Sequence, residues 1–413
     1  MYRIPAPLTR MFSGIALGLA AATLGMNALA AGPEAASPYP EVTISPANPA
    51  LAAQVKHGEY LVDLGDCLAC HTASGGKAFS GGRAINTPYG AIYSTNITPD
   101  PETGIGKWTF AQFDKAVRYG DSPHGYLFAA MPYPSYNIMS PQQVRDMWEY
   151  LKRVPAVYRR NEPVGMPIPF RWRFLQAAWR LLFFKPADGP YRPDPTKSAL
   201  WNWGRFIVEG PEHCGACHTP HNFLGAPKQR YFLTGSTISG RWAPDVSGAV
   251  TSHLPVDEIM KVFSEKRGLS GGVLGGDMGL AIGHSMRFMT PQDMRAVAVY
   301  LQTVDSPIPS GPMPVAESPS DIGLGQKVYR AHCAACHETG VGGAPKVGTT
   351  DFAPLAKMPL EDLYRNVYYG VSIMPAKGGC AKCTDRELSS AIRYMIRPSA
   401  SPPRPGASRP DTT

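Results

Sequence analysis

The chain has 413 residues, room for two to four ordinary domains, and its Lys and Arg exceed Asp and Glu by eight. That modest excess comes without a dense basic run or a base-stacking motif, which argues against nucleic acid as a partner. Glycine and proline stand at 42 each, so the chain is rich in turns and needs something besides its own side chains to fill its core.

Residues 1–31 have the form of an export signal. Arg3 and Arg10 make a positive start, an apolar run follows from Met11 to Met26, and Asn27-Ala-Leu-Ala-Ala31 ends in small residues suited to cleavage. The run is short for a membrane span, although an uncleaved anchor is the alternative. No later stretch reaches spanning length, so the mature chain is expected in the periplasm, soluble or peripherally attached to the inner membrane.

Residues 45–155 read as a first small helical domain. An opening helix carrying Gly58 leads to Cys67-Leu-Ala-Cys70-His71, and a closing helix starts at Ser140-Pro-Gln-Gln and carries Tyr150. C-x-x-C-H is the attachment signature of c-type haem. Two thiols three apart on a helical turn reach the two vinyl groups of one porphyrin, and the next residue sets an imidazole beneath the iron. A glycine at position 58 would let the opening helix cross the closing one closely, or else mark an ordinary helix start. Met139, just before the closing helix, is the expected ligand on the other side of the iron, with Met131 and His124 as competitors.

Residues 156–194 form a basic aromatic connector. Between Arg159 and Lys185 lie six basic residues against one acid, Glu162, interleaved with Phe170, Trp172, Phe174, Trp179, Phe183 and Phe184. Such a segment suits a membrane surface or a protein interface. Packing between the neighbouring domains is the alternative.

The pattern returns over 195–305. Gly204 precedes Cys214-Gly-Ala-Cys217-His218, and the closing helix starts at Thr290-Pro-Gln-Asp and carries Tyr300. Met289 lies eleven residues before Tyr300, as Met139 lies eleven before Tyr150. That shared register favours Met289 over Met286 and His284. After a linker at 306–317, the region 318–398 repeats the plan with Gly325, Cys333-Ala-Ala-Cys336-His337 and a closing helix from Thr384 that carries Tyr394.

In this third region Met374 is the expected ligand, because Met358 sits mid-domain before a helix expected over Leu360 to Val367. Cys380 and Cys383 are followed by Thr384 rather than His, so they are expected to form a local disulfide. A redox-active dithiol is the alternative, and a zinc site would need two more ligands. Residues 399–413 form a Ser, Pro and Arg-rich tail expected to be disordered.

Three copies of C-x-x-C-H in an exported chain imply three covalently bound haem c groups on a mainly α, loop-rich scaffold. Methionine opposite histidine closes each iron to ligands and favours single-electron transfer. No nucleophile triad, phosphate loop or nicotinamide fingerprint is present, so no catalytic residue is expected.

From Gln54 to Val304 the chain resembles the cytochrome c subunit of membrane-associated bacterial alcohol, gluconate, fructose and sorbitol dehydrogenases. The residues that carry the resemblance include Asn86-Thr-Pro-Tyr-Gly-Ala-Ile-Tyr-Ser-Thr-Asn-Ile-Thr-Pro-Asp-Pro-Glu-Thr-Gly-Ile-Gly106, Met131-Pro-Tyr-Pro-Ser-Tyr, and Pro169-Phe-Arg-Trp-Arg. His213-Cys-Gly-Ala-Cys-His-Thr-Pro-His-Asn-Phe-Leu-Gly225 completes them. The resemblance implies three class I cytochrome c domains in tandem, docked on a dehydrogenase catalytic subunit of flavin, quinoprotein or molybdenum type. Electrons would pass to ubiquinone, a soluble cytochrome or a terminal oxidase. It also implies that Arg83, Tyr93, Asn96 and Trp108 surround the first haem; loop packing is their other reading.

The third region departs from that family and resembles the small soluble cytochrome c-five type, including its extra disulfide. A free periplasmic carrier, or a haem enzyme of peroxidase or thiosulfate oxidoreductase type with one open iron, are the alternatives.

Overall fold

The computed structural model describes residues 38–45, 47–238, 241–268, 273–307, 312–316, 318, 321–371 and 374–397. The expected signal at 1–31 and tail at 399–413 lie outside these residues, as does part of the 306–317 linker.

One helix-crossing arrangement occurs three times. The opening helices Pro49–Leu64, Ala199–Glu209 and Asp321–Val328 pack across the closing helices Pro141–Leu151, Pro291–Leu301 and Asp385–Ile396. The closing helices start where the capping residues direct: Ser140, Thr290 and Thr384 each accept a hydrogen bond from the backbone N–H three residues on. The crossings are tight enough to demand glycine. A Cβ on Gly58 would stand 1.8 Å from the Asp146 carbonyl oxygen, one on Gly204 1.9 Å from that of Ala296, and one on Gly325 2.2 Å from that of Ser390. No side chain fits at those distances.

Leu61, Leu64, Val144 and Met147 fill the first crossing, and each fully buried apolar side chain of this size contributes about 1.5–3 kcal/mol. Most buried apolar residues between Tyr39 and Val304 form one continuous cluster, so the first two helix pairs share a core. Those from Val328 to Ile392 form a separate cluster. Side chains of the first two helix pairs therefore pack on one another across the expected domain boundary.

Three short antiparallel hairpins complete the loops: Ala84–Thr87 with Gly90–Tyr93, Asp121–Ser122 with Gly125–Tyr126, and Ser236–Ile238 with Arg241–Ala243. Further helices, Phe110–Tyr119, Val256–Glu265 and Gly276–His284, fall where no helix was expected from the sequence. The helix expected over Leu360–Val367 runs from Leu360 to Tyr369.

One face of the connector packs within the chain. In its helix, Leu175–Phe183, Trp179 donates to the Leu224 carbonyl at 2.9 Å, and the Arg180 guanidinium lies over the rings of Tyr126 and Phe184. The opposite face is bare: Phe174 is 65% exposed, Leu181 87% and Leu182 64%. Among the described residues no helix is long and apolar enough to cross a membrane.

Candidate redox centres

Each C-x-x-C-H occupies a single helical turn after its opening helix. In the first two copies the residue before the leading cysteine is left-handed: Asp66 has φ 47° and His213 φ 39°. This conformation costs a non-glycine residue energy and breaks the chain direction, turning the cysteine pair away from the opening helix. The third copy makes the same change through a π-turn, Tyr329–Cys333, that runs directly into Ala334–His337.

The three histidines share one hydrogen bond. Nδ1 of His71 lies 2.7 Å from the Thr95 carbonyl oxygen, that of His218 2.7 Å from Pro244, and that of His337 2.9 Å from Pro345. A carbonyl only accepts, so Nδ1 carries the proton and Nε2 keeps its lone pair for a metal. Burial lowers the pKa of all three imidazoles, which favours the neutral, ligating form.

The six motif cysteines stand outside any disulfide. Burial raises the thiols of Cys67, Cys70, Cys214, Cys217 and Cys333, Cys70 to about 12 and Cys217 and Cys333 to about 11, so these five are not reactive thiolates at neutral pH. Cys380 and Cys383 are joined as a disulfide. His332 has a ring nitrogen within 4.8 Å of those two sulfurs, but a disulfide offers no thiolate to a metal.

Met139 is fully buried and Met289 nearly so. Met289 and Met374 line one cavity of about 2130 Å³ together with His218, His337 and the cysteines at 214, 217, 333 and 336. A single small-molecule site occupies about 300–1,000 Å³, so this space is large enough for more than one cofactor. Its walls, among them Phe263, Leu301, Val328 and Ile392, are mostly apolar. Paired thiols, a pinned imidazole and an apolar slot suit a porphyrin better than a bare ion. The competing Met286 and Met358 line the same cavity, whereas Met131 does not.

Other candidates differ in their surroundings. His124 is exposed, and Nδ1 of His284 faces the Leu280 carbonyl of its own helix. Arg83 donates to the Ala69 carbonyl, within the first motif, and to Asp277 at 2.8 Å. It thereby ties the first motif to the Gly276–His284 helix. Asn96 is buried beside Thr95, the acceptor for His71, and donates to Thr103 and to the Val157 carbonyl.

Sequence reading missed a set of buried carboxyls. Asp63, Asp66 and Glu212 are each at least nine-tenths buried, and each has one oxygen without a hydrogen-bond partner. Burial raises Asp63 to about 8, Asp66 to about 7, and Glu212 well above the usual range. It also missed the contact behind His218. Asp245 follows the carbonyl that holds His218 and lies 3.8 Å from Arg365, which also pairs with Asp362 at 2.5 Å. Trp242 stacks on Tyr369 beside them, with ring centroids 4.5 Å apart.

The cytochrome c family model matches residues 55–155, and the model for cytochrome c oxidase, cbb3-type, subunit III matches residues 320–395. The cytochrome c subunit of the quinone alcohol dehydrogenase of Komagataeibacter europaeus is 35% identical over 333 residues, 75% of this chain and 69% of that protein. The fructose dehydrogenase cytochrome subunit of Gluconobacter japonicus is 31% identical over 385 residues, 83% of this chain and 78% of that protein. One of the subunits of the nicotinate dehydrogenase of Pseudomonas putida is 37% identical over 302 residues, 70% of this chain. The chain spans only a quarter of that last protein.

Proposed function

The chain belongs to the family of cytochrome c subunits of bacterial dehydrogenases, and from that premise we propose that it carries three haem c groups and relays electrons away from a separate catalytic subunit. The observation that carries this reading is the histidine hydrogen bond repeated at three pairs of thiols. Haem c, when bound, supplies reversible one-electron chemistry at its iron.

The protein's part is to hold and enclose. Cys67 and Cys70, Cys214 and Cys217, and Cys333 and Cys336 would take the thioether links. His71, His218 and His337 would present Nε2, and Met139, Met289 and Met374 would close the opposite side. The apolar walls exclude water and so favour the less charged, reduced form. The second site stands between the other two: Arg83 and Asp277 join it to the first, and Arg365 and Tyr369 join it to the third.

The donor in this reading is a dehydrogenase of flavin, quinoprotein or molybdenum type, and the acceptor a quinone, a soluble cytochrome or an oxidase. The bare face of the Leu175–Phe183 helix, with Ile168, Trp172 and Phe223 exposed nearby, supports attachment to a partner or to the periplasmic face of the inner membrane. Mass spectrometry of the mature polypeptide tests the central count. Three porphyrin additions are expected, and fewer would overturn it.

A further inference from the structure

The closing helices of the first and third regions complete their own N-termini. The Ser140 backbone N–H donates to Gln143 Oε1 at 2.8 Å, and that of Thr384 to Glu387 Oε2 at 2.8 Å. Each is a closed capping box, in which the third helical residue reaches back to the cap. The second closing helix has Asp293 at that place, one methylene shorter. Its backbone N–H still donates to Thr290 Oγ1 at 3.1 Å, but its carboxylate does not return to the Thr290 N–H.

A tyrosine from another part of the chain fills the gap. The Thr290 N–H donates to the Tyr60 hydroxyl at 3.2 Å, and that hydroxyl in turn donates to Asp293 Oδ2. Trp203 Nε1 donates to the other carboxylate oxygen at 2.5 Å. Tyr60 lies on the opening helix of the first region, 230 residues before the cap it completes. Thr290 directly follows Met289, so whatever holds its backbone sets where the Met289 sulfur points. Tyr39 braces the same loop, donating to the His284 carbonyl at 2.6 Å and meeting the Phe288 ring edge-on.

We propose that Tyr60 is a positioning residue for Met289: the first region supplies the missing member of the second region's capping box and thereby fixes a ligand of the second iron. The inference rests on the reading of Met289 as that ligand. Among the described residues, the caps at Ser140 and Thr384 are closed by a side chain of their own helix, whereas the cap at Thr290 takes its closing bond from Tyr60. At the first site, Tyr136 donates to the Gly65 carbonyl at 2.5 Å, Arg118 to the Met139 carbonyl, and the Tyr191 N–H to the Ile138 carbonyl at 2.7 Å.

The test uses the full haem-loaded protein and reads the individual potentials by spectroelectrochemical titration, together with the methionine-to-iron absorbance of the ferric form. Tyr60→Phe keeps the ring and removes the hydroxyl. One potential should fall and two stay, because methionine favours ferrous iron. A tenfold loss of ferrous stabilisation corresponds to a shift of about 59 mV for one electron. Adding Asp293→Glu should restore that potential, since a glutamate there reaches the cap as Glu387 does. Met289→Ala is the control and should lower the same potential. If Met289→Ala moves nothing, the ligand reading is wrong. If it moves one potential and Tyr60→Phe moves none, or if Asp293→Glu gives no rescue, the positioning role is overturned.

Discussion

The first two regions of this chain and the third are built on the same helix crossing, yet they are stabilised differently. From Tyr39 to Val304 a single core runs through both of the first two crossings, and Tyr60 and Tyr39 reach from one into the loop of the other. The third region has its own core and meets the second through a buried charge cluster and one stacked ring pair. The contrast teaches that repeated sequence units need not be independent folding units. The first pair should lose structure together, and the third should behave as a module attached by polar contacts.

Gly58→Ala puts a methyl group against the Asp146 carbonyl and should cost about 3 kcal/mol, the upper part of the usual overpacking range. Thermal unfolding followed by haem absorbance should show the first and second sites melting together and earlier, with the third unchanged. Separate melting of the first and second sites would break the comparison. Gly325→Ala is its mirror image and should affect the third site alone.

Arg365→Met removes the cation from between Asp245 and Asp362. Breaking a buried pair costs about 3–5 kcal/mol, but burial has already raised Asp362 to about 6, so it can take a proton and the loss should be about 2 kcal/mol. Limited proteolysis between residues 304 and 321 should speed up, while the joint core keeps its melting temperature.

The smallest effect at any one pH step, though not across the whole window, concerns titration. Asp63 and Asp66 bind protons more tightly folded than unfolded, with folded values of about 8 and 7. Their contribution to stability is therefore fully present below about pH 4, the unfolded carboxyl range, and is lost as pH rises toward about 8. Denaturant unfolding across that window should show the joint core weakening, and Asp63→Asn should flatten the slope by about 1 kcal/mol per pH unit. A joint core that strengthens with rising pH would contradict the assignment.

Much of this was readable in the sequence because it is local. The three C-x-x-C-H turns, the Ser or Thr caps and the crossing glycines each declare themselves within a dozen residues. The features that escaped are those in which distant residues meet. The carbonyl acceptors for His71, His218 and His337 lie 24, 26 and 8 residues downstream and carry no side-chain signature. The shared core follows from how the Met289 loop packs on Tyr39 and Tyr60, which periodicity does not encode. Asp293 did leave a clue. It is the short member among Gln143, Asp293 and Glu387, and an unclosed box implies that its cap N–H bonds elsewhere.

The account depends on methionine and histidine closing each iron so that the chain relays electrons and no reactant reaches a metal. Exposure of the fully reduced, native protein to carbon monoxide tests this most directly. The account predicts an unchanged ferrous spectrum. A carbon monoxide adduct at any of the irons would show an open site and contradict it.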